Sequence, residues 1–189
     1  MRVFYGLYPA DMKLQAWLNL LRFLASPQQK LIAHLTVRGP YRQRYAMIAA
    51  SRAIKGHTLQ VIGADMFLGP GQATAILTCA PDEALRKVWY KPDYPGFNPH
   101  MTISDGLPES LTREILAACS QIRPFRFVST PLVPIITKPP QAELSLANNV
   151  DFELLGQILG SAFDAGKVYQ AQESTRLEWL RKTVVSQPS

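Results

Sequence analysis

Apolar and polar positions along the chain fall into a succession of short periodic segments. Around Val3, Tyr5 and Leu7 the period is two, which predicts a strand over residues 2–8. Pro9-Ala10-Asp11 supplies a turn and an N-cap carboxylate for the helix that follows. Leu14, Trp17, Leu18, Leu21 and Leu24 recur at helical spacing and stop by Ser26-Pro27. A second strand is expected over about residues 31–38, ended by Gly39-Pro40. An Ala/Ile-rich stretch running to Lys55 reads as a helix stopped by Gly56. Strands at about 57–68 and 72–80 flank Gly69-Pro70-Gly71, a hairpin signal. Asp82 to Tyr90 reads as a helix with Asp82 and Glu83 at its positive end. The loop Lys91 to Pro99, rich in proline and aromatics, delivers another strand through Gly106. A helix then runs from Pro108-Glu109-Ser110 to about Ser120. Residues 124–138 read as strand, with Pro131 and Pro134 arguing for an edge or a bulge, closed by Lys138-Pro139-Pro140. Asp151 to Phe163 and Glu173 to Lys182 read as two further helices, and residues 186–189 as a frayed tail.

Two of these strands differ from the rest. In the first, Leu31, Ala33, Leu35 and Val37 share one face and His34, Thr36 and Arg38 the other, because successive side chains of a strand point to opposite sides. In the second, Met101 and Ile103 oppose His100, Thr102 and Ser104. Two of the chain's three histidines thus stand in His-x-Thr, 66 residues apart, each on the polar face of a strand. Repeated placement is more specific than one match. His57 has no Thr two residues on and reads as a bystander. Each motif strand follows one helix and precedes another, a weak internal echo.

The paired motifs His34-Leu35-Thr36-Val37 and His100-Met101-Thr102-Ile103, with the opening Arg2-Val3-Phe4-Tyr5-Gly6-Leu7-Tyr8-Pro9, resemble the two-histidine phosphoesterase superfamily. That family includes the bacterial 2′-5′ RNA ligase-like proteins and the RNA 2′,3′-cyclic phosphodiesterases. The resemblance covers roughly residues 1–138. It implies an α+β fold of two pseudo-symmetric lobes, with antiparallel sheets around a central cleft that carries both His-x-Thr motifs. Residues 1–189 then form one two-lobed domain, with about 140–189 as a C-terminal helical extension.

If both polar faces line one cleft, the chemistry is phosphoryl transfer without a metal. One neutral imidazole takes a proton from the attacking hydroxyl and the other, protonated, gives one to the leaving oxygen. Thr36 and Thr102, about 7 Å along each strand from the histidine, donate to non-bridging phosphate oxygens. The resemblance assigns the family's threonines that role. Arg38 shares the face of His34 and offers a planar fork to a phosphate; it is also expected to lower the pKa of His34. Ser104 holds the equivalent place on the second strand. Tyr41 and Tyr94 flank the motifs and suit stacking on a base. Arg42, Arg44, Arg52 and Lys55 read as a solvated helix face rather than a basic edge for RNA.

The balance of 20 Lys and Arg against 14 Asp and Glu, net +6, favours anionic partners. The expected substrates are RNA ends or a nucleotide cyclic phosphate. No cofactor is expected. No metal is expected either, because His34 has no acidic neighbour in sequence and zinc needs three or four ligands. A non-catalytic nucleotide- or RNA-binding module using the same cleft is the rival reading. Cys79 and Cys119 lack metal spacing and read as reduced thiols. No leader pattern and no run of about 18 apolar residues is present, so a cytoplasmic protein away from membranes is expected; a monomer is expected as well.

Overall fold

The computed structural model describes residues 2–29, 31–94, 96–137 and 150–188. Strand β1 (Arg2–Leu7) leads to helix α1 (Met12–Ala25), whose first turn is capped as the sequence requires: Asp11 accepts from the Leu14 amide at 2.8 Å. Then come β2 (Leu35–Tyr41), α2 (Ile48–Ile54), the hairpin β3 (Thr58–Gly69) and β4 (Gln72–Cys79), α3 (Glu83–Val88), β5 (His100–Leu107) and α4 (Glu109–Cys119). Strands β6 (Phe125–Val128) and β7 (Val133–Thr137) precede three C-terminal helices, α5 (Phe152–Leu159), α6 (Ala165–Gln170) and α7 (Glu173–Val185). The fold is α+β. Its seven strands form one antiparallel sheet in the order β6-β3-β4-β5-β2-β1-β7.

Three elements depart from the sequence reading. The strand expected over 31–38 starts at Leu35 and runs through Gly39-Pro40 to Tyr41. Gly39 holds φ +109, and its amide donates to the Tyr90 carbonyl at 2.9 Å, so the strand finds a partner where a stop was expected. A Cβ there would lie 2.8 Å from the Val3 carbonyl oxygen, which excludes any other residue. The single strand over 124–138 is two strands, β6 on β3 and β7 on β1, at opposite edges of the sheet. Pro134 does lie in an edge strand, β7, whereas Pro131 lies in the connection between the two strands; the proposed close at Lys138-Pro139-Pro140 lies outside the described residues. Helix α6, capped by Asp164 on the Lys167 amide, was not expected at all.

The two edges place a strong constraint on shape. Six interstrand steps of about 4.8 Å would put the edges of a flat sheet about 29 Å apart. Val128 and Val133 are five residues apart in sequence, and so can span at most about 18 Å. The sheet must therefore curl until its edges approach. Ser129 is the closure point: its amide donates to the His57 carbonyl at 2.9 Å and its hydroxyl to Ile54 O at 2.6 Å, and it bridges Pro9 beyond β1. At the middle of the sheet, β2 and β5 share one register pair, Leu35 with Met101.

The core lies between the sheet and α1, α4 and the C-terminal helices. Leu35, Val37, Met101 and Ile103 supply its sheet side and Trp17, Leu18, Leu21 and Leu24 its α1 side, all buried. Residues beyond 150 belong to the same core: Leu155, Val168, Leu180 and Val184 are buried, Phe23 packs edge-on against Phe152 and Tyr169, and the Trp17 indole donates to the Thr183 carbonyl at 2.8 Å. Among the described residues no helix is long and apolar enough to cross a membrane.

Candidate active site

The register pair Leu35–Met101 decides what the two motifs do to each other. Both side chains point into the core. Alternation from that pair puts His34, Thr36, His100 and Thr102 on the other face. The two histidines are near enough for the charge of His100 to lower the pKa of His34. All four are partly exposed, while Ala33, Leu35, Val37, Met101 and Ile103 between them are buried.

Each imidazole is held the same way. His34 Nδ1 lies 2.7 Å from the carbonyl of Ile32, and His100 Nδ1 lies 2.7 Å from that of Asn98, two residues back in both cases. A carbonyl only accepts, so Nδ1 carries the proton in both rings. Nε2 is then the atom left for exchange, with no protein partner among the described residues.

The rings differ in their surroundings. Tyr8 packs at 5.9 Å from the ring of His34, and a Cβ on Gly6 would come within 3.1 Å of His34 Cδ2, so glycine is what lets the imidazole lie against β1. Phe67, reaching over from the β3–β4 hairpin, meets His100 edge-on at 4.9 Å. Burial is the main cause that lowers the His34 pKa, to about 4; the charges of Arg22, His100 and Lys91 add to it and the Ile32 carbonyl opposes it. His100 is lowered as well, by burial and then by Lys91, against the Asn98 carbonyl. Burial also raises Tyr8 to about 12, so the phenol is a proton donor and not an anion.

Arg22 and Lys91 are site residues that the sequence reading missed. Arg22, on α1, is only 5% exposed. Its guanidinium donates to the carbonyl of Leu31 at 2.5 Å and to that of Thr102, so one side chain ties the approach to His34 to the backbone of the second motif. Burial lowers its pKa to about 10, against the pull of Asp105 and Tyr8, which leaves it charged at neutral pH. A signal existed: Trp17 to Ala25 is buried on every side of the helix, and a lone charge in such a run must have an internal partner. Lys91 is lowered by burial and its Nζ lies 5.1 and 5.2 Å from the rings of Trp89 and Tyr94. Nothing local in the sequence marks it, because its nearness to both histidines is tertiary.

The remaining expected residues divide. Arg38 lies on the predicted face, but it is engaged with aromatics: Nε donates to the Tyr41 hydroxyl at 3.2 Å and the guanidinium sits 5.6 Å from the Tyr90 ring centre. The cations that lower His34 are Arg22 and Lys91, in place of the expected Arg38. Tyr94 is exposed, with Lys91 Nζ 5.2 Å from its ring. Tyr41 packs with Tyr5, Tyr45 and Tyr90 at the far end of β2, away from the histidines. Ser104 is a correction. Ile76 pairs with Thr102 but the next β4 residue, Ala75, pairs with Ser104, so β5 bulges by one residue. The bulge turns Ser104 inward, where it is fully buried with its hydroxyl unpartnered, and it cannot meet a phosphate. His57 instead pairs with Asp82, the cap of α3, at 2.9 Å.

Among the described residues no three His, Cys, Asp or Glu side chains gather as a metal cluster. No protein-family model matches this chain, and no curated protein matches it in sequence.

Proposed function

We propose that the chain is a metal-independent phosphodiesterase of the two-histidine type, two lobes around a cleft at the β2–β5 junction, that hydrolyses a 2′,3′-cyclic phosphate or a 2′-5′ phosphodiester in RNA or a nucleotide. The observation that carries the reading is the pair of neighbouring histidines, each with Nδ1 fixed on the carbonyl two residues back and Nε2 left free. Two identical tautomers presented on one face suit a reaction that removes a proton from one oxygen and gives a proton to another. The curled sheet and the single β2–β5 register pair are consistent with two half-sheets opening around that face.

In this reading His34, the weaker base by environment but the one neutral over the wider pH range, takes the proton of water as its oxygen attacks phosphorus. His100, which is protonated once the phosphate anion is bound beside it, passes its proton to the departing ribose oxygen. The P–O bond to that oxygen breaks as the new one forms, and one monoester results. Thr36 and Thr102 donate to the non-bridging oxygens, where charge concentrates. Lys91 and Arg22 add positive potential from the rim and from beneath. Purified protein with excess chelator, offered 2′,3′-cyclic mononucleotides, cyclic-phosphate-ended oligonucleotides and 2′-5′ dinucleotides, should turn over at least one class at an undiminished rate. Loss of all turnover with chelator would remove the metal-free mechanism. Absence of turnover in any condition, with retained binding, would favour the non-catalytic binding module.

A further inference from the structure

We infer that the surface running from Lys91 and Arg38 through Tyr90 and Tyr45 to Arg44 is a track for single-stranded RNA, so that the chain binds a polynucleotide end and not only a mononucleotide. The first observation is charge. Residues 12–64 hold eight of the 20 Lys and Arg and none of the 14 Asp and Glu, so the entire positive surplus comes from this stretch and the remainder is slightly acidic. The second is that Arg38, Arg42, Arg44 and Lys91 make no ion pair among the described residues, whereas Arg113, Arg181 and Lys182 on the helical side do. Arg42 and Arg44 precede α2 and lie on an exposed loop, not on the solvated helix face expected for them.

The third observation is the aromatic interleaving. Tyr90, Tyr94 and Tyr45 are 50%, 55% and 47% exposed, so each ring keeps a free area on which a base can stack. Tyr41 stacks on Tyr90 at 6.0 Å and 20°, Arg38 lies over Tyr90, and Lys91 lies between Trp89 and Tyr94. Tyr45 is fixed through its backbone: the Tyr5 hydroxyl accepts from its amide and donates to its carbonyl, both at 2.6 Å. Beyond it opens a cavity of about 500 Å³ lined by Tyr5, Arg44, Tyr45, Met47 and Ser51 among others. Unpaired cations alternating with exposed rings are what a single strand needs: phosphates meet the cations and unstacked bases meet the rings. An acidic peptide would satisfy the cations but leaves the rings unused. The track rests on the phosphodiesterase reading only for its polarity, with the reacting phosphate at the histidines and the chain leading away past Arg38.

The test is binding, so that it stands apart from turnover. A fluorescent RNA hexanucleotide ending in a 3′-phosphate, the matching nucleoside 3′-monophosphate, an RNA duplex of equal length and polyglutamate are the probes. The hexanucleotide should bind at least about tenfold tighter than the monophosphate, given stacking of about 1–3 kcal/mol per base. Its log affinity should fall with log salt at a slope near −2, at about 0.7 per phosphate contact for three contacts. Arg44→Gln should flatten that slope by about 0.7, and Tyr45→Ala should cost about tenfold with the slope unchanged. Equal affinity for monophosphate and hexanucleotide, equal affinity for the duplex, or displacement by polyglutamate as effective as by RNA would each overturn the track. Hexanucleotide binding as described without turnover of any substrate would uphold the track and sink the phosphodiesterase; turnover of cyclic mononucleotide with no gain in affinity for the hexanucleotide would do the reverse.

Discussion

Burial of His34 makes the fold acid-sensitive in a window that can be calculated. In the unfolded chain the imidazole takes a proton near pH 6.5; in the native protein it resists until about pH 4. Between those values the unfolded state binds more protons, so lowering the pH draws the equilibrium toward it. Stability from this group is complete above pH 6.5, declines from 6.5 to 4 and is lost below 4. The difference of about 2.5 units at 1.36 kcal/mol each sets a ceiling of about 3 kcal/mol, and the partial exposure of the ring argues for somewhat less. His34→Asn keeps an amide donor for the Ile32 carbonyl in place of Nδ1–H and does not titrate. Urea unfolding of both proteins, followed by tryptophan fluorescence at pH 7, 6, 5 and 4, gives the comparison. Other titrating groups act in both proteins and cancel in the difference. Wild type should lose about 2–3 kcal/mol more than His34→Asn between pH 7 and pH 4. Parallel curves would show that His34 titrates alike in both states, and the assignment of its depressed pKa to burial would be wrong.

His34→Ala and His100→Ala should each lower turnover about 10²–10⁴-fold with far-UV circular dichroism unchanged; full activity in either would end the two-histidine mechanism. Thr36→Val and Thr102→Val should cost about 10–10³-fold in kcat at similar KM, whereas an equal loss in binding of product phosphate would make them ground-state ligands. The kcat/KM profile should be a bell centred below pH 6.5, because both free histidines are depressed, with its acid limb near 4; a bell centred above pH 7 would contradict that. Arg22→Met should raise the acid limb by relieving His34 of a buried charge, and should also lower the melting temperature by leaving the Leu31 and Thr102 carbonyls unpaired. A loss of stability with an unmoved limb would confine Arg22 to a structural part.

Local signals suffice for several elements. Alternation around Val3-Tyr5-Leu7, the Asp11 cap and the Gly69-Pro70-Gly71 turn each depend on neighbours within a few residues, and each element formed near its expected bounds. What failed depended on partners far away. Gly39-Pro40 looked like a strand end because nothing nearby announces the Tyr90 carbonyl that accepts from the Gly39 amide. Ser104 looked equivalent to Arg38 because a bulge cannot be seen in a period of two. Residues 124–138 looked continuous because the two edges they serve are brought together by the whole sheet's curl. At the site, the two His-x-Thr motifs were legible and their mutual register was not. Lys91 and Tyr8 were invisible for the same reason, while Arg22 was legible in principle as a charge within an all-buried helix.

In the proposed reaction, the environment of the two histidines links catalysis to binding. In the free protein both imidazoles are held neutral, His34 the more firmly, by burial and by the charges of Arg22 and Lys91. Acid–base catalysis requires one of them to be protonated. Near neutral pH the free protein therefore lacks its acid, and the same cations that suppress protonation attract a phosphate. Once a phosphate anion lies between the rings, its charge offsets those cations and favours imidazolium. His100, the less depressed of the two, gains its proton first. In the proposed phosphodiesterase, substrate binding thus generates the general acid, and the proton taken up is the one later given to the leaving oxygen. Proton uptake on binding of a non-reactive phosphate, measured by calorimetry in buffers of different ionisation enthalpy, should approach one per site between pH 6 and 7 and vanish in His100→Ala. No uptake would mean that the acid is already protonated in the free protein, and that burial does not govern the pair.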